Sequence, residues 1–405
     1  MHYQGDNMLD VKRTNRSAAL RILHEQGGMS RKRLAEAMEL TPAAITKIVG
    51  ELIEEGLVQE GDSLPAGGAG RREVTICLNE HAYYSLGILI NLREAILSAI
   101  WLDGSVIFSE HLELEEQSPA EETVKMLSAR ILHLVEQYGI DKEKIIGLGI
   151  AIRGITSEDC RCIRNSFRSL DTQDFPIAER FEHYTGFRTV MSNNVRALFS
   201  AHNYLTGGDQ RISRFFLRCE YGIGASLMVN GSIWHGWTQQ CAEIGHIPVI
   251  KHGGKLCSCG KTGCLETIAS PSAILADVTE IFSKENTPIL YALCKGDRQQ
   301  ITLNTIFHAA AQGDEQVGTV VERAATALSS ALKTVIYLAD PQEIVLYGQM
   351  FENEYYLSLL YEDLQIGVDE SHTTSVKKSR FNRLLEDKAA GLVMVEDFIS
   401  RGGMR

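Results

Sequence analysis

The chain has 405 residues, a formal net charge of −12, 44% hydrophobic and 23% charged residues. At about 100–200 residues per domain this predicts about two to four domains, and the composition excludes a disordered, collagen-like or fibrous protein. No run approaches the about 20 uninterrupted apolar residues of a membrane helix, and the polar start lacks a secretory signal, so the expected location is the cytoplasm. Nine cysteines are there expected to be buried or to bind metal rather than to form disulfides.

Residues 1–50 carry eight Lys/Arg against five Asp/Glu, a local +3 in an acidic chain. That asymmetry points to a local anionic partner. Helical spacing begins near Arg13, with Ala19, Leu20, Ile22 and Leu23 on one apolar face, and Gly27-Gly28 stops it. Ser30 is a good N-cap for a short second helix with Leu34, Ala35 and Met38 inward. Thr41-Pro42 starts a third, because proline fits the first helical position, where no N–H is needed. Ile45, Ile48, Val49, Leu52 and Ile53 form its buried stripe, and Gly56 ends it. Strands are predicted at Leu57–Glu60 and Glu73–Leu78, joined by a Gly-rich tip that ends in Arg71-Arg72.

Three short helices and a ribbon over residues 1–80 make a winged helix-turn-helix. On the third helix Thr41, Ala43, Thr46 and Lys47 are the candidate contacts for a major groove, small and hydroxylated enough to let the helix sit deep. Arg31 and Lys32 are placed to hold phosphates, and Arg71 and Arg72 to reach a phosphate or the minor groove. The expected partner is a double-stranded DNA operator.

From about residue 81 the pattern becomes α/β. Strand-like runs occur at Leu86–Ile90, Ala95–Trp101, Ile145–Ile152, Arg188–Ser192, Phe215–Leu217, Ala225–Val229 and Glu343–Tyr347, with helical stretches at Ala120–Tyr138 and Val317–Leu338. The strongest chemical signal is Cys257-Ser258-Cys259-Gly260-Lys261-Thr262-Gly263-Cys264, three thiols in one glycine-rich loop. Zinc takes four soft ligands in a tetrahedron, and His246, eleven residues before Cys257, supplies the fourth. Cys160 and Cys162 have no matching ligands nearby and read as structural.

Glu-x-Gly-His followed by Cys-x-Cys-Gly-x-x-Gly-Cys-Leu-Glu resembles the ROK family of bacterial repressors and sugar kinases. A winged helix ahead of the kinase-like part resembles the repressor branch, which includes repressors of xylose and N-acetylglucosamine genes. The resemblance implies an actin-like, two-lobed α/β fold over 81–405, a small lobe at about 81–190 plus the C-terminal end and a large lobe at about 191–375, with a sugar in the cleft. It places zinc on His246, Cys257, Cys259 and Cys264, and sugar hydroxyls on Glu243, His246 and Glu266, with Asn165, Asn193 and Asn194 opposite. Carboxylates accept from vicinal hydroxyls, and amides both donate and accept.

The kinase machinery departs from the family pattern. The base of a family kinase is an Asp after an Asn; here the pair reads Asn193-Asn194, and an amide takes no proton. The first phosphate hairpin, Asp-x-Gly-Gly-Thr in kinases, is Leu89-Ile90-Asn91-Leu92-Arg93. The second clamp is Glu220-Tyr221-Gly222 and the adenosine-side loop is Tyr347-Gly348-Gln349. These lesions predict no catalytic residue and no phosphoryl transfer. Arg153, where kinases have Pro, suits either an anionic group on the sugar or a local carboxylate. Trp234 and His235 stand at the cleft or at a subunit contact. The expectation is a sugar- or sugar-phosphate-controlled repressor of carbohydrate genes, assembled as a homodimer or homotetramer. The alternatives are a sugar kinase with a DNA-binding head and a repressor titrated by a protein partner.

Overall fold

The computed structural model describes residues 8–64, 73–115, 118–157, 159–164, 174–207, 212–365, 373–381 and 383–404. Arg71, Arg72 and Asn165 lie outside the described residues. The chain divides into two compact units, Met1–Gly208 with Arg383–Arg405, and Asp209–Asn382. None of the described helices is long and apolar enough to cross a membrane.

The first unit opens with helix α1 (Met8–Gln26), strand β1 (Met29–Ser30), α2 (Arg31–Ala37), α3 (Pro42–Glu54), β2 (Val58–Leu64) and β3 (Glu73–Leu78). The caps are the predicted ones: Ser30 Oγ accepts from the Arg33 amide at 3.3 Å and Thr41 Oγ1 from the Ala44 amide at 3.3 Å. Leu34, Ala35, Ile45, Val49 and Leu52 are buried, whereas Ile48 and Ile53 at the stripe's margin are half-buried. The wing is an antiparallel sheet in the order β1-β3-β2. Ile76 and Leu78 turn inward while Val74, toward the tip, is exposed.

The head is followed by β4 (Tyr84–Ile90), β5 (Glu94–Trp101), β6 (Val106–Glu113), α4 (Ala120–Gln137), β7 (Ile145–Ile152), α5 (Ile177–Thr185), β8 (Thr189–Asn193) and α6 (Asn194–Thr206). The sheet runs β6-β5-β4-β7-β8, antiparallel in the hairpins and parallel from β4 through β7 to β8. Strands β4, β5 and β7 are almost continuously buried because helices lie against them, which is why they read as unbroken apolar runs.

The second unit holds β9 (Arg214–Cys219), β10 (Ile223–Val229), β11 (Ser232–Ile233), α7 (Glu266–Ala269), α8 (Pro271–Ile281), α9 (Pro288–Leu293), α10 (Leu303–Ala311), α11 (Glu315–Ala339), β12 (Glu343–Tyr347), α12 (Glu354–Gln365) and β13 (Ser375–Lys378). Its sheet order is β11-β10-β9-β12-β13. Helix α11 buries Val317, Val321, Leu328 and Leu332 in a core shared with Phe307, Phe351 and Tyr356.

The chain then returns to the first unit as α13 (Glu386–Ser400), which packs on β4, β5, β7 and α6. Leu392, Met394, Val395, Phe398 and Ile399 are buried there, each worth about 1.5–3 kcal/mol of burial. Glycines permit the approach. A Cβ at Gly149 would overlap the Ala390 carbonyl, and one at Gly87 the Gly391 amide. Because α6 packs on α13, it belongs to the first unit, whereas the sequence reading put the change of lobe near residue 191. The head likewise groups with this unit rather than standing apart.

Candidate functional site

On the head, Thr41, Ala43, Thr46 and Lys47 are exposed on one side of α3, opposite buried Ile45, Val49 and Leu52. Thr46 Oγ1 donates to the Pro42 carbonyl at 2.8 Å, which anchors the hydroxyl and leaves it able to accept. Lys32 is exposed, but Arg31 pairs with Glu60 of β2 at 3.0 Å, so a phosphate there competes with a carboxylate. The basic excess is smaller in space than in sequence. Lys12 pairs with Glu51 at 2.8 Å, and Arg16 is only 1% exposed, held by Glu51 and Glu55. Arg16 also donates through Nε to the Gly402 carbonyl at 2.8 Å, so it fastens the head instead of facing DNA.

In the first unit, Asn193 and Asn194 open α6. Asn193 Oδ1 accepts from the Val195 and Arg196 amides at 2.9 and 3.4 Å, and its Nδ2 donates to the Gly154 carbonyl at 2.9 Å. It is therefore a cap and a loop clamp, with one N–H left for a ligand. Asn194 is 4% exposed and donates to Asn91 Oδ1 at 3.5 Å. Asn91, which sequence reasoning did not single out as a site residue, belongs to the tight turn closing the first hairpin, where its amide donates to the Glu94 carbonyl at 2.8 Å. Leu89 is fully buried in β4.

In the second unit, the glycine-rich loop brings together the four predicted metal ligands. One ligand atom each of His246, Cys257, Cys259 and Cys264 lies within 4.8 Å of all the others. Cys259 Sγ is 3.7 Å from Cys264 Sγ, and His246 Nδ1 is 3.5 Å from Cys257 Sγ. A tetrahedron with metal–sulfur bonds of about 2.3 Å has sulfur–sulfur edges of about 3.8 Å, so the set fits a metal ion. The loop is shaped by the Gly260 amide donating to the Cys257 carbonyl at 2.9 Å, with Gly260 in the left-handed region at φ 84°. It is tied down by Asp277, 8% exposed, which receives Lys255 and, at 2.5 Å, Arg323. Burial and the neighbouring thiols push Cys264 up to about 12.

Glu266 stands beside this centre. Its Oε2 accepts from the Ile223 amide at 3.0 Å and its Oε1 is 4.0 Å from Cys257 Sγ. A Cβ at Gly222 would overlap the carboxylate, so the glycine that survives from the clamp motif makes room for Glu266. Glu243 is exposed immediately before the short turn that carries His246. Nearby, Glu220 Oε1 accepts from the Gln349 amide at 3.1 Å. The loops after β9 and β12 are thereby bonded to each other through a carboxylate.

The chain is similar to known proteins over most of its length. A family model described as ROK family matches residues 97–390, and one described as MarR family matches residues 15–60. The N-acetylglucosamine repressor of Escherichia coli O157:H7 is 28% identical over 345 residues, 84% of this chain and 82% of that protein. The DNA-binding transcriptional repressor Mlc of Escherichia coli strain K12 is 26% identical over 405 residues, 97% of this chain and 95% of its own. A solved structure of a ROK family transcriptional regulator, a homologue of the Escherichia coli Mlc protein, has a TM-score of 0.79 at 22% identity, covering 97% of this chain and 98% of that one.

Proposed function

The chain belongs to the ROK family, and on that footing we propose that it is a transcriptional repressor of carbohydrate genes whose kinase-like part senses a sugar without phosphorylating it. The observation that carries the non-catalytic half is Asn194, an amide at the base position bonded to Asn91. Phosphoryl transfer needs an acceptor for the hydroxyl proton, and a carboxamide is not basic. The phosphate side supports the same reading. Leu89 is buried where a metal-directed carboxylate is needed, and Glu220 occupies the Gln349 amide while bringing negative charge toward any phosphate.

Sugar hydroxyls are read by Glu243, His246 and Glu266 of the second unit and by Asn193 and Asn194 of the first. Zinc is the metal on His246, Cys257, Cys259 and Cys264, and when bound it supplies charge that holds the thiols as thiolates and fixes the loop. His246 uses Nδ1 toward the thiols, which leaves Nε2 for a hydroxyl. Glu266 braces the Cys257 side of the loop against β10.

The head reads the operator through Thr41, Ala43, Thr46 and Lys47, with Lys32 on the backbone. A homodimer presents two recognition helices to a roughly palindromic site. The test is fluorescence anisotropy with the promoter fragment of the protein's own gene, titrated with glucose, N-acetylglucosamine, xylose and the 6-phosphates of the first two. One sugar shifts operator affinity about ten-fold or more; no shift with any of them overturns sugar control. In a coupled ADP-release assay over the same sugars the protein shows no turnover, and turnover above background overturns the loss of catalysis.

A further inference from the structure

The head is seated on the first unit by a seam of ionisable and aromatic groups. His24, near the end of α1, stacks on Tyr204 in the last turn of α6, with ring centroids 3.8 Å apart and planes at 21°. His24 Nε2 lies 3.2 Å from the Tyr204 carbonyl oxygen. The Tyr204 hydroxyl donates to the Leu102 carbonyl at 2.5 Å, just beyond β5. One residue thus meets the head with its ring and backbone and the sheet with its hydroxyl.

The far end of the same helix is Asn193-Asn194. Helix α6 has 13 residues, a rod of about 20 Å whose backbone hydrogen bonds do not stretch appreciably under small loads. It lies along α13, which in turn touches α1. A displacement imposed at Asn194 is therefore delivered at Tyr204 rather than absorbed along the way, because packed interiors shift between discrete arrangements.

The seam also carries an internal cost. His24 Nδ1 is buried without a hydrogen-bond partner. With Nε2 donating to the Tyr204 carbonyl, Nδ1 is an unsatisfied acceptor, a cost that displacement of the head relieves.

We propose that His24 and Tyr204 are positioning residues that set the attitude of the DNA-binding head, and that α6 carries the state of its Asn193-Asn194 end to them. The second clause rests on the sugar reading given above; the first does not. The test uses the full-length protein and its promoter fragment, with operator affinity measured without sugar and with whichever of glucose, N-acetylglucosamine, xylose or the two 6-phosphates calorimetry shows to bind. His24→Ala weakens sugar-free operator binding about ten-fold, leaves calorimetric sugar affinity unchanged, and brings the ratio of operator affinities with and without sugar to about one. His24→Phe keeps the stack and restores both operator values to within about three-fold of wild type. A folding defect alone lowers melting temperature without erasing the sugar ratio.

Wild-type operator affinity and sugar ratio in His24→Ala, or a His24→Phe protein as impaired as His24→Ala, overturns the proposal. If the wild type ignores every sugar, the sugar reading falls, and the sugar-free affinity of His24→Ala still decides the seam: weakened supports it, unchanged overturns it. If His24→Ala loses the head's helical signal, Tyr204→Phe is read in its place. It keeps the ring and drops only the bond to Leu102, and wild-type operator affinity and sugar ratio in it overturn the proposal.

Discussion

Burial holds the His24 imidazole below its ordinary value of 6.5; the Tyr204 carbonyl and the charges of Glu80 and Asp103 work against that shift, and Arg21 works with it. A histidine depressed in the folded state binds its proton more readily in the unfolded chain, so its contribution to stability is lost as pH falls through 6.5 and downward. Glu396, which faces Arg21 and Ser200, is raised by burial and has the opposite sign, gaining stability as it is protonated in the fold. The His24 contribution is isolated by difference. Wild-type melting temperature falls more steeply than that of His24→Phe between about pH 7.5 and about pH 5.5, and parallel slopes contradict the assignment. At the metal centre, Cys259→Ser leaves less than one zinc per chain by elemental analysis and lowers the melting temperature by several degrees, as does a chelator on the wild type. Full melting stability after metal removal contradicts a structural ion. The gathering of His246, Cys257, Cys259 and Cys264 was legible in the sequence because they lie within 19 positions of one another. The partners of Arg16 were not. It counted as one of eight basic residues for DNA, yet its carbonyl acceptor is 386 positions away, and no local pattern reports that.

At the scale of elements, α3 and α13 carry different kinds of prediction. Beside α3, Lys32→Ala on α2 weakens operator binding for every sequence and reduces the salt slope by about one, as loss of a single phosphate contact does. Thr46→Val changes base preference at one position and costs about 1–3 kcal/mol on the cognate site. Anisotropy at several salt concentrations separates the two. On α13, Gly149→Val drives a branched side chain into the Ala390 carbonyl and costs about 3 kcal/mol or more, read as a lower denaturation midpoint; an unchanged midpoint contradicts the close packing. The caps and stripes of α2 and α3 were legible because Ser30, Thr41-Pro42 and the apolar spacing act within a few residues. Strand β6 and helix α13 were not identified. Strand β6 is an edge strand with mostly exposed or half-buried residues, so it lacks the apolar run that marked its neighbours. Helix α13 is buried over most of its surface by a sheet formed from residues some 300 positions earlier, so it shows little of the one-sided pattern by which a surface helix is read.

For the whole molecule, the winged head and the kinase-like part were both legible in the sequence, the first from turn chemistry and charge, the second from the Cys-rich loop. Their grouping into units was not, because it depends on where α6 and the head pack. If the protein assembles as the homodimer proposed above, it protects two half-sites whose centres are about one helical turn, 34–36 Å, or a multiple of it apart. Inserting about 5 bp between the half-sites abolishes tight binding and about 10 bp restores much of it; footprinting measures both, and indifference to spacing contradicts a symmetric pair of heads.

The Arg16–Gly402 contact has a temporal consequence. Residues are added in chain order, so a chain on the ribosome has α3 hundreds of residues before the carbonyl that completes the Arg16 socket exists. The guanidinium has Glu51 and Glu55 from the start, but not its last acceptor. Nascent chains, and chains that stop short of Gly402, therefore carry a head whose Arg16 guanidinium lacks one of its native acceptors.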